Sequence, residues 1–294
     1  MNQNADPGVI ERYNRIIENI DHLPSLPAIV TRLIEVVNSP DSSADDAAKL
    51  IEKDPALTSK IIRLANSAFY GIPRSISSVS TAVVILGFST IRSIVLSAAL
   101  MKVFPGTTKR SFDRDRFWKH SIVTALASRL LARHFINIRM MDPESAFCAG
   151  ILHDLGKLIF DEYLTEDYLK ACEYARNNGI PLLSAEKEIL GITHAEIGMI
   201  LAEKWELPPD LGLPLVYHHS PSSTDKLVDL VTTVHIADVL AHESGNAIWD
   251  NEERPEEWDQ AREVLRFGDS DYQKVTETLA QSLEKSSEFF DIIK

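Results

Sequence analysis

The chain is poor in the residues that staple, anchor or neutralise phosphate. Its two cysteines, Cys148 and Cys172, lie far apart and form no Cys-x-x-Cys pair, which excludes a disulfide framework and fits a reducing compartment. No apolar run is long enough to cross a membrane: the longest, around residues 94–104, is interrupted by Lys102 and preceded by Arg92. Residues 1–8 are polar, so no secretory leader is expected, and the reading is of a cytoplasmic protein without a membrane partner. Basic charge is scarce as well. Against 43 Asp and Glu stand 30 Lys and Arg, a net −13, and no nucleic-acid partner is expected because phosphate neutralisation needs clustered cations. A glycine-rich phosphate loop, a Gly-x-Ser-x-Gly elbow, internal repeats and low-complexity tracts are all missing.

What is present is helical periodicity, with 45% apolar residues to build a core. Ile10, Tyr13, Ile16, Ile17 and Ile20 share one face of a first helix; Leu23-Pro24-Ser25-Leu26-Pro27 stops it and opens a second, striped by Ile29, Leu33, Val36 and Val37 up to Asn38-Ser39-Pro40. Ser42 or Ser43 can cap a third helix, and Asp54-Pro55 can open a fourth with Leu57, Ile61, Leu64 and Phe69 on one side. The run Ala82-Val83-Val84-Ile85-Leu86-Gly87-Phe88 suits a buried strand by its β-branching, but helix is the expectation. Another apolar helix follows over residues 90–104, and Pro105-Gly106-Thr107-Thr108 is the clearest internal break. From residue 114 to 240 amphipathic helices alternate with turns such as Asn178-Gly179-Ile180-Pro181.

The expected fold is therefore all-α with two helical lobes: an N-terminal helical bundle (1–105), a C-terminal bundle holding the candidate site (106–245) and an acidic helical extension (246–294). Residues 250–294 carry 13 acidic against 6 basic residues, whereas residues 52–102 carry 6 basic against 2 acidic. That modest basic face would suit either an acidic partner or plain solvation.

Histidine and aspartate carry the candidate chemistry. His153 and Asp154 are adjacent in Gly150-Ile151-Leu152-His153-Asp154-Leu155-Gly156-Lys157, with His120 upstream and His194, His218, His219 and Asp238 downstream. Imidazole and carboxylate together hold borderline and hard divalent metals, and helices placed side by side can bring all seven into one pocket. Each has an ordinary alternative when taken singly: His194 as a solvated first-turn residue, Asp238 as a buried acceptor or half of an ion pair. His22, His134, His235 and His242 are read as structural or surface residues, His235 being three positions from Asp238.

The order of these ligands resembles the HD superfamily of metal-dependent phosphohydrolases, and within it the branch that hydrolyses cyclic dinucleotides. Upstream, Leu23-Pro24-Ser25-Leu26-Pro27, Asp54-Pro55-Ala56-Leu57, Leu64-Ala65-Asn66-Ser67-Ala68-Phe69-Tyr70 and Ala82-Val83-Val84-Ile85-Leu86-Gly87 resemble the HDOD domain, the HD-related output domain of bacterial signalling proteins. The likeness spans residues 20–240. It implies that His120, His153, Asp154 and Asp238 hold one ion and that Asp154 bridges to a second held by His194, His218 and His219. Asp154 and Lys157 are then the catalytic candidates, Lys157 reaching a phosphate oxygen, although a Lys there also complements a helix dipole. The implied cofactor is one or two divalent ions, iron or manganese ahead of zinc, nickel or magnesium.

Two departures from the pattern matter. Many HDOD domains have lost these ligands, whereas this chain keeps a nearly full set. The cyclic-dinucleotide hydrolases follow the His-His pair with Gly-Tyr-Pro, and some add a Glu ligand four residues before the first His; here those places hold Ser220-Pro221-Ser222-Ser223 and Arg116. The expected function is a signal-transduction output module with a metal centre, binding a signalling protein partner or a phosphate-bearing small ligand. The alternative is a metal-dependent phosphohydrolase acting on a phosphodiester or nucleotide.

Overall fold

Side-chain caps set the starts of the early helices. The computed structural model describes residues 25–39, 41–67, 70–73, 75–104, 110–248 and 257–285. After α1 (Ala28–Asn38), Ser43 accepts the Asp46 N–H while the Asp46 carboxylate accepts the Ser43 N–H, a reciprocal box that starts α2 (Ala44–Ile51). Asp54 accepts the Leu57 N–H and Pro55 takes the first turn of α3 (Pro55–Ala65), where a missing N–H costs nothing. Ser78 caps α4 (Val79–Leu86), so the β-branched run is helical. Gly87, at φ +83°, then turns the chain by about 120° into α5 (Phe88–Val103). The expected first-helix stripe at residues 10–20, the break at residues 105–108, and Leu23, Pro24, Pro40 and Phe69 lie outside the described residues.

The second half comprises α6 (Arg114–His134), α7 (Pro143–Leu152), α8 (Leu155–Tyr163), α9 (Thr165–Asn178), α10 (Leu182–Leu190), α11 (His194–Lys204), α12 (Pro209–Tyr217) and α13 (Val228–Ala241). A π-type turn, His242–Asn246, follows, and then α14 (Trp258–Leu265) and α15 (Asp269–Lys285). The fold is all-α, with no strand among the described residues. No single helix there is long and apolar enough to cross a membrane.

Amphipathic helices were expected throughout this half, and three central ones depart from that. α13 is buried from Leu230 to Ala241 without interruption, α7 from Ala146 to Leu152, and α6 buries Arg114, His120 and Arg129 among its apolar residues. α13 and the middle stretches of α6 (His120 to Arg129) and α7 are enclosed on all sides, so no polar face marks a solvent side there, while Asp115, Lys119 and Arg133 are exposed towards the ends of α6. α6 and α7 pack at backbone contact: a Cβ at Gly150 would lie 2.6 Å from Ala125 Cα, so only glycine fits that crossing. One apolar cluster runs from Leu26 to Leu279. α5 joins the early helices to α7, Arg92 Nη2 donating to Ser145 Oγ at 2.8 Å and Ser93 Oγ lying 3.1 Å from Cys148 Sγ. α15 is tied back to α6 and to the π-type turn by His134–Asp271 and by the Tyr272 hydroxyl donating to Glu243.

Candidate metal centre

Helix ends deliver the histidines. The last carbonyls of a helix lack intrahelical partners, and a histidine at the cap can fold back to serve one of them. His153, capping α7, donates Nδ1–H to Gly150 O at 2.8 Å, and His218, capping α12, donates to Pro214 O at 3.0 Å. His120, in the second turn of α6, donates Nδ1–H to Asn246 O at 3.0 Å. Each carbonyl can only accept, so each ring carries a proton on Nδ1 and turns Nε2 inward. His194, the first residue of α11, has the same arrangement against a carboxylate, with Nδ1 2.7 Å from Glu186 Oε2.

The Nε2 atoms meet two aspartates. Asp154 stands in the cap position of α8 but does not cap it; Oδ2 is 3.3 Å from His153 Nε2 and 3.6 Å from His120 Nε2, and Oδ1 is 3.3 Å from His194 Nε2 and 3.6 Å from His218 Nε2. Asp238 Oδ1, from α13, is 3.0 Å from His120 Nε2 and 3.6 Å from His153 Nε2. The donors form two sets, His120 with His153 and Asp238, and Asp154 with His194, His218 and His219, each set within 4.8 Å of itself. That spread is close to the ~4.2 Å that opposite ligands subtend when each is about 2.1 Å from a common ion.

The donor chemistry fits a divalent cation. His120 Nε2 and His153 Nε2 face each other at 3.3 Å, and His194 Nε2 and His219 Nε2 at 2.8 Å, so each facing pair needs a proton or a cation between its nitrogens. Asp154 Oδ1, Asp238 Oδ1 and His218 Nε2 are buried without a hydrogen-bond partner, an arrangement that costs energy unless an ion takes them up. Burial pushes His218 down to about 4, keeping it neutral and ready to ligate. Burial opposes charge on His153 too, but the Asp154 carboxylate beside it outweighs burial and holds the ring up to about 9. Burial would raise both aspartates; His153 and Lys157 hold Asp154 well below the usual carboxylate range, and His242 and His120 do so for Asp238.

All seven sequence-derived ligand candidates come together, although nothing local in the chain required it. Lys157 sits beside them, its Nζ donating to Asp154 Oδ2 at 2.8 Å. Three further residues belong to the neighbourhood. His242, read from sequence as ordinary, packs against His120 with ring centres 4.7 Å apart and the planes tilted, and places Nδ1 3.1 Å from Asp238 Oδ1. Its position four residues after Asp238, one helical turn on, was the available signal. His235 donates Nδ1–H to His218 O at 2.6 Å, holding the end of α12. Glu186 has no such signal: it reaches His194 across the turn at Gly191.

The model of the HDOD domain matches residues 23–221. The chain belongs to the HDOD domain family. A solved HDOD domain protein of unknown function from Geobacter sulfurreducens is 26% identical, covers 97% of this chain and 99% of its own, and superposes with a TM-score of 0.79. A candidate phosphohydrolase from Shewanella amazonensis SB2B is 27% identical, with 95% of this chain and 98% of that one covered, at a TM-score of 0.73. An uncharacterized protein of Treponema pallidum (strain Nichols) is 27% identical over 274 residues, 93% of this chain but 51% of the relative, so this HDOD chain spans about half the length of the curated relative it matches. The HDOD match ends before Asp238, His242 and the last two helices. The His/Asp cluster supports a divalent-metal site in this member of the family.

Proposed function

We propose that the chain is a regulatory HDOD module of a signalling system, in which a divalent-metal centre of HD type holds a phosphate-bearing ligand or orders the surface that meets a partner protein. The observation that carries this reading is that the donor set is complete and enclosed except at His219, which is partly exposed. His120, His153, Asp154, His194, His218 and Asp238 are each at most 7% exposed, and Lys157 is 3% exposed and held on Asp154. Catalytic metal sites keep an open coordination position, whereas structural sites have every position taken by protein, and the burial of six of the seven donors favours the closed kind.

In this reading His120, His153, Asp238 and Asp154 hold one ion, and Asp154, His194, His218 and His219 the second. The mixed nitrogen and oxygen donors suit iron or manganese, with zinc, nickel or magnesium as alternatives. Divalent ions bound there would acidify a coordinated water and polarise a phosphoryl group. The protein's own contribution is to fix the Nδ1–H tautomers through the backbone carbonyls, exclude water, and place the Lys157 ammonium beside Asp154.

A metal-dependent phosphohydrolase is the second reading. It is favoured by one observation, that the two oxygens of Asp154 face different donor sets, as a two-ion clamp on a phosphate requires. Protein purified without oxygen and analysed for metal, then assayed on a panel of phosphodiesters and nucleotides, separates the two. Bound metal that Asp154→Ala removes, with no turnover, supports the module. Metal-dependent turnover that Asp154→Ala abolishes replaces it with the hydrolase.

A further inference from the structure

Glu186 is fully buried in α10, and its Oε2 accepts both hydrogen bonds that His194 offers, from the backbone N–H at 2.9 Å and from Nδ1 at 2.7 Å. Its other oxygen, Oε1, is buried with no hydrogen-bond partner. A carboxylate in such a place is destabilising for a protein that gains only one histidine contact from it. It also differs in kind from what the other inward-facing rings receive, since His120, His153 and His218 are each backed by a neutral backbone carbonyl. The second donor set thus has three imidazoles and Asp154 in contact range of an ion, with a further negative charge one imidazole away.

We infer that Glu186 is a positioning residue for the second metal subsite, resting on the metal reading above: it fixes the His194 ring with Nε2 inward, raises that nitrogen's donor strength, and has its buried charge balanced by the ion across the ring. Carboxylate–histidine–metal relays work this way, and loss of the outer carboxylate lowers metal affinity by roughly 10–100-fold. α8 fixes the other side of the same histidine. A Cβ on Gly156 would lie 2.0 Å from His194 O, so the backbone of α11 can approach α8 only where there is no side chain. His194 is held from behind by Glu186 and from beside by Gly156.

Glu186→Gln tests this, because it keeps the size and an acceptor oxygen but removes the charge. Wild type and variant are titrated with Co(II) or Mn(II) and competed with a chelator, and metal-free and metal-loaded forms are melted. The expected result is a second-ion affinity weakened about 10–100-fold, an unchanged first-ion affinity, and a metal-free variant as stable as the metal-free wild type or more so, since an uncompensated buried charge has gone. Glu186→Asp should restore part of the affinity. Equal affinities in wild type and Glu186→Gln, or an equal drop in melting temperature with and without metal, reduces Glu186 to a structural residue and overturns the inference while the metal centre stands. A wild type that binds no second ion overturns both.

Discussion

α2 and α3 bury Ala47, Ala48 and Ile51, and Leu57, Ile61, Leu64 and Ala65, and leave their other faces to solvent; α13 buries every residue from Leu230 to Ala241, polar ones included. In the first region the polar side chains are exposed or engaged in short local contacts, the Ser43 and Asp54 caps and the Asp45–Lys49 pair among them, so each acts almost alone. In the second, Asp154, Asp238 and the histidines have mainly one another, and removing one strands the rest. Low-dielectric networks raise the stake of every member in this way. Side chains of the same chemistry should therefore differ several-fold in their effect according to which region holds them.

The largest effect expected is that of Asp154→Ala. It leaves the Lys157 ammonium, 3% exposed, without the carboxylate 2.8 Å away, and stranding one partner of a buried pair costs about 3–5 kcal/mol. Urea unfolding of metal-free protein should show that loss, and Lys157→Met in the same chain should return part of it. Metal content should fall further than in His194→Ala, because the two oxygens of Asp154 face both donor sets and His194 faces only one. If the two variants lose equal metal, Asp154 does not bridge.

Next comes the crossing of α6 and α7. Gly150→Ala would put Cβ 2.6 Å from Ala125 Cα and 2.8 Å from Ala125 N, both backbone atoms, so the helices themselves must part. Overpacking of this kind costs about 1–3 kcal/mol. Because α7 ends at His153, the shift should also loosen metal binding; a thermal melt together with a metal titration reads both. A melting temperature within 1 °C of wild type would mean that the crossing is less tight than the contact implies.

These differences explain what could be read from the amino-acid sequence. The starts of α2 and α3 were legible because a Ser or Asp cap stands next to an apolar stripe. The ligands were legible as a set because His and Asp fell in the order of a known superfamily. That α13 and the middle of α6 and α7 are enclosed was not, since a stretch buried all round has no stripe to betray its environment. His242 and Glu186 were missed for different reasons. His242 lies one turn beyond Asp238 and was findable by spacing, while Glu186 meets His194 only through the tertiary turn at Gly191, and no one-dimensional pattern encodes that.

The smallest effect should come from the pair that ties α15 to α6. Some burial raises the Asp271 carboxyl, but the hydrogen bond with His134 and the one from the Gly268 N–H outweigh it, and the group is held below its ordinary value. A carboxyl depressed in the folded state stabilises fully above its unfolded pKa of about 3.9 and loses that contribution as pH falls through the lower folded value. The side chains of His134 and Asp271 are 19% and 31% exposed, so screening keeps the worth of the pair to a few tenths of a kcal/mol, up to about 1. Asp271→Asn should be less stable than wild type by that amount at pH 6, and the gap should close below pH ~3. Metal content should not change, because nothing connects this pair to the donor sets except packing. A gap that persists at low pH would assign the loss to packing of the new amide, and a change in metal content would show that α15 reaches the buried network through Tyr272 and Glu243 rather than standing outside it.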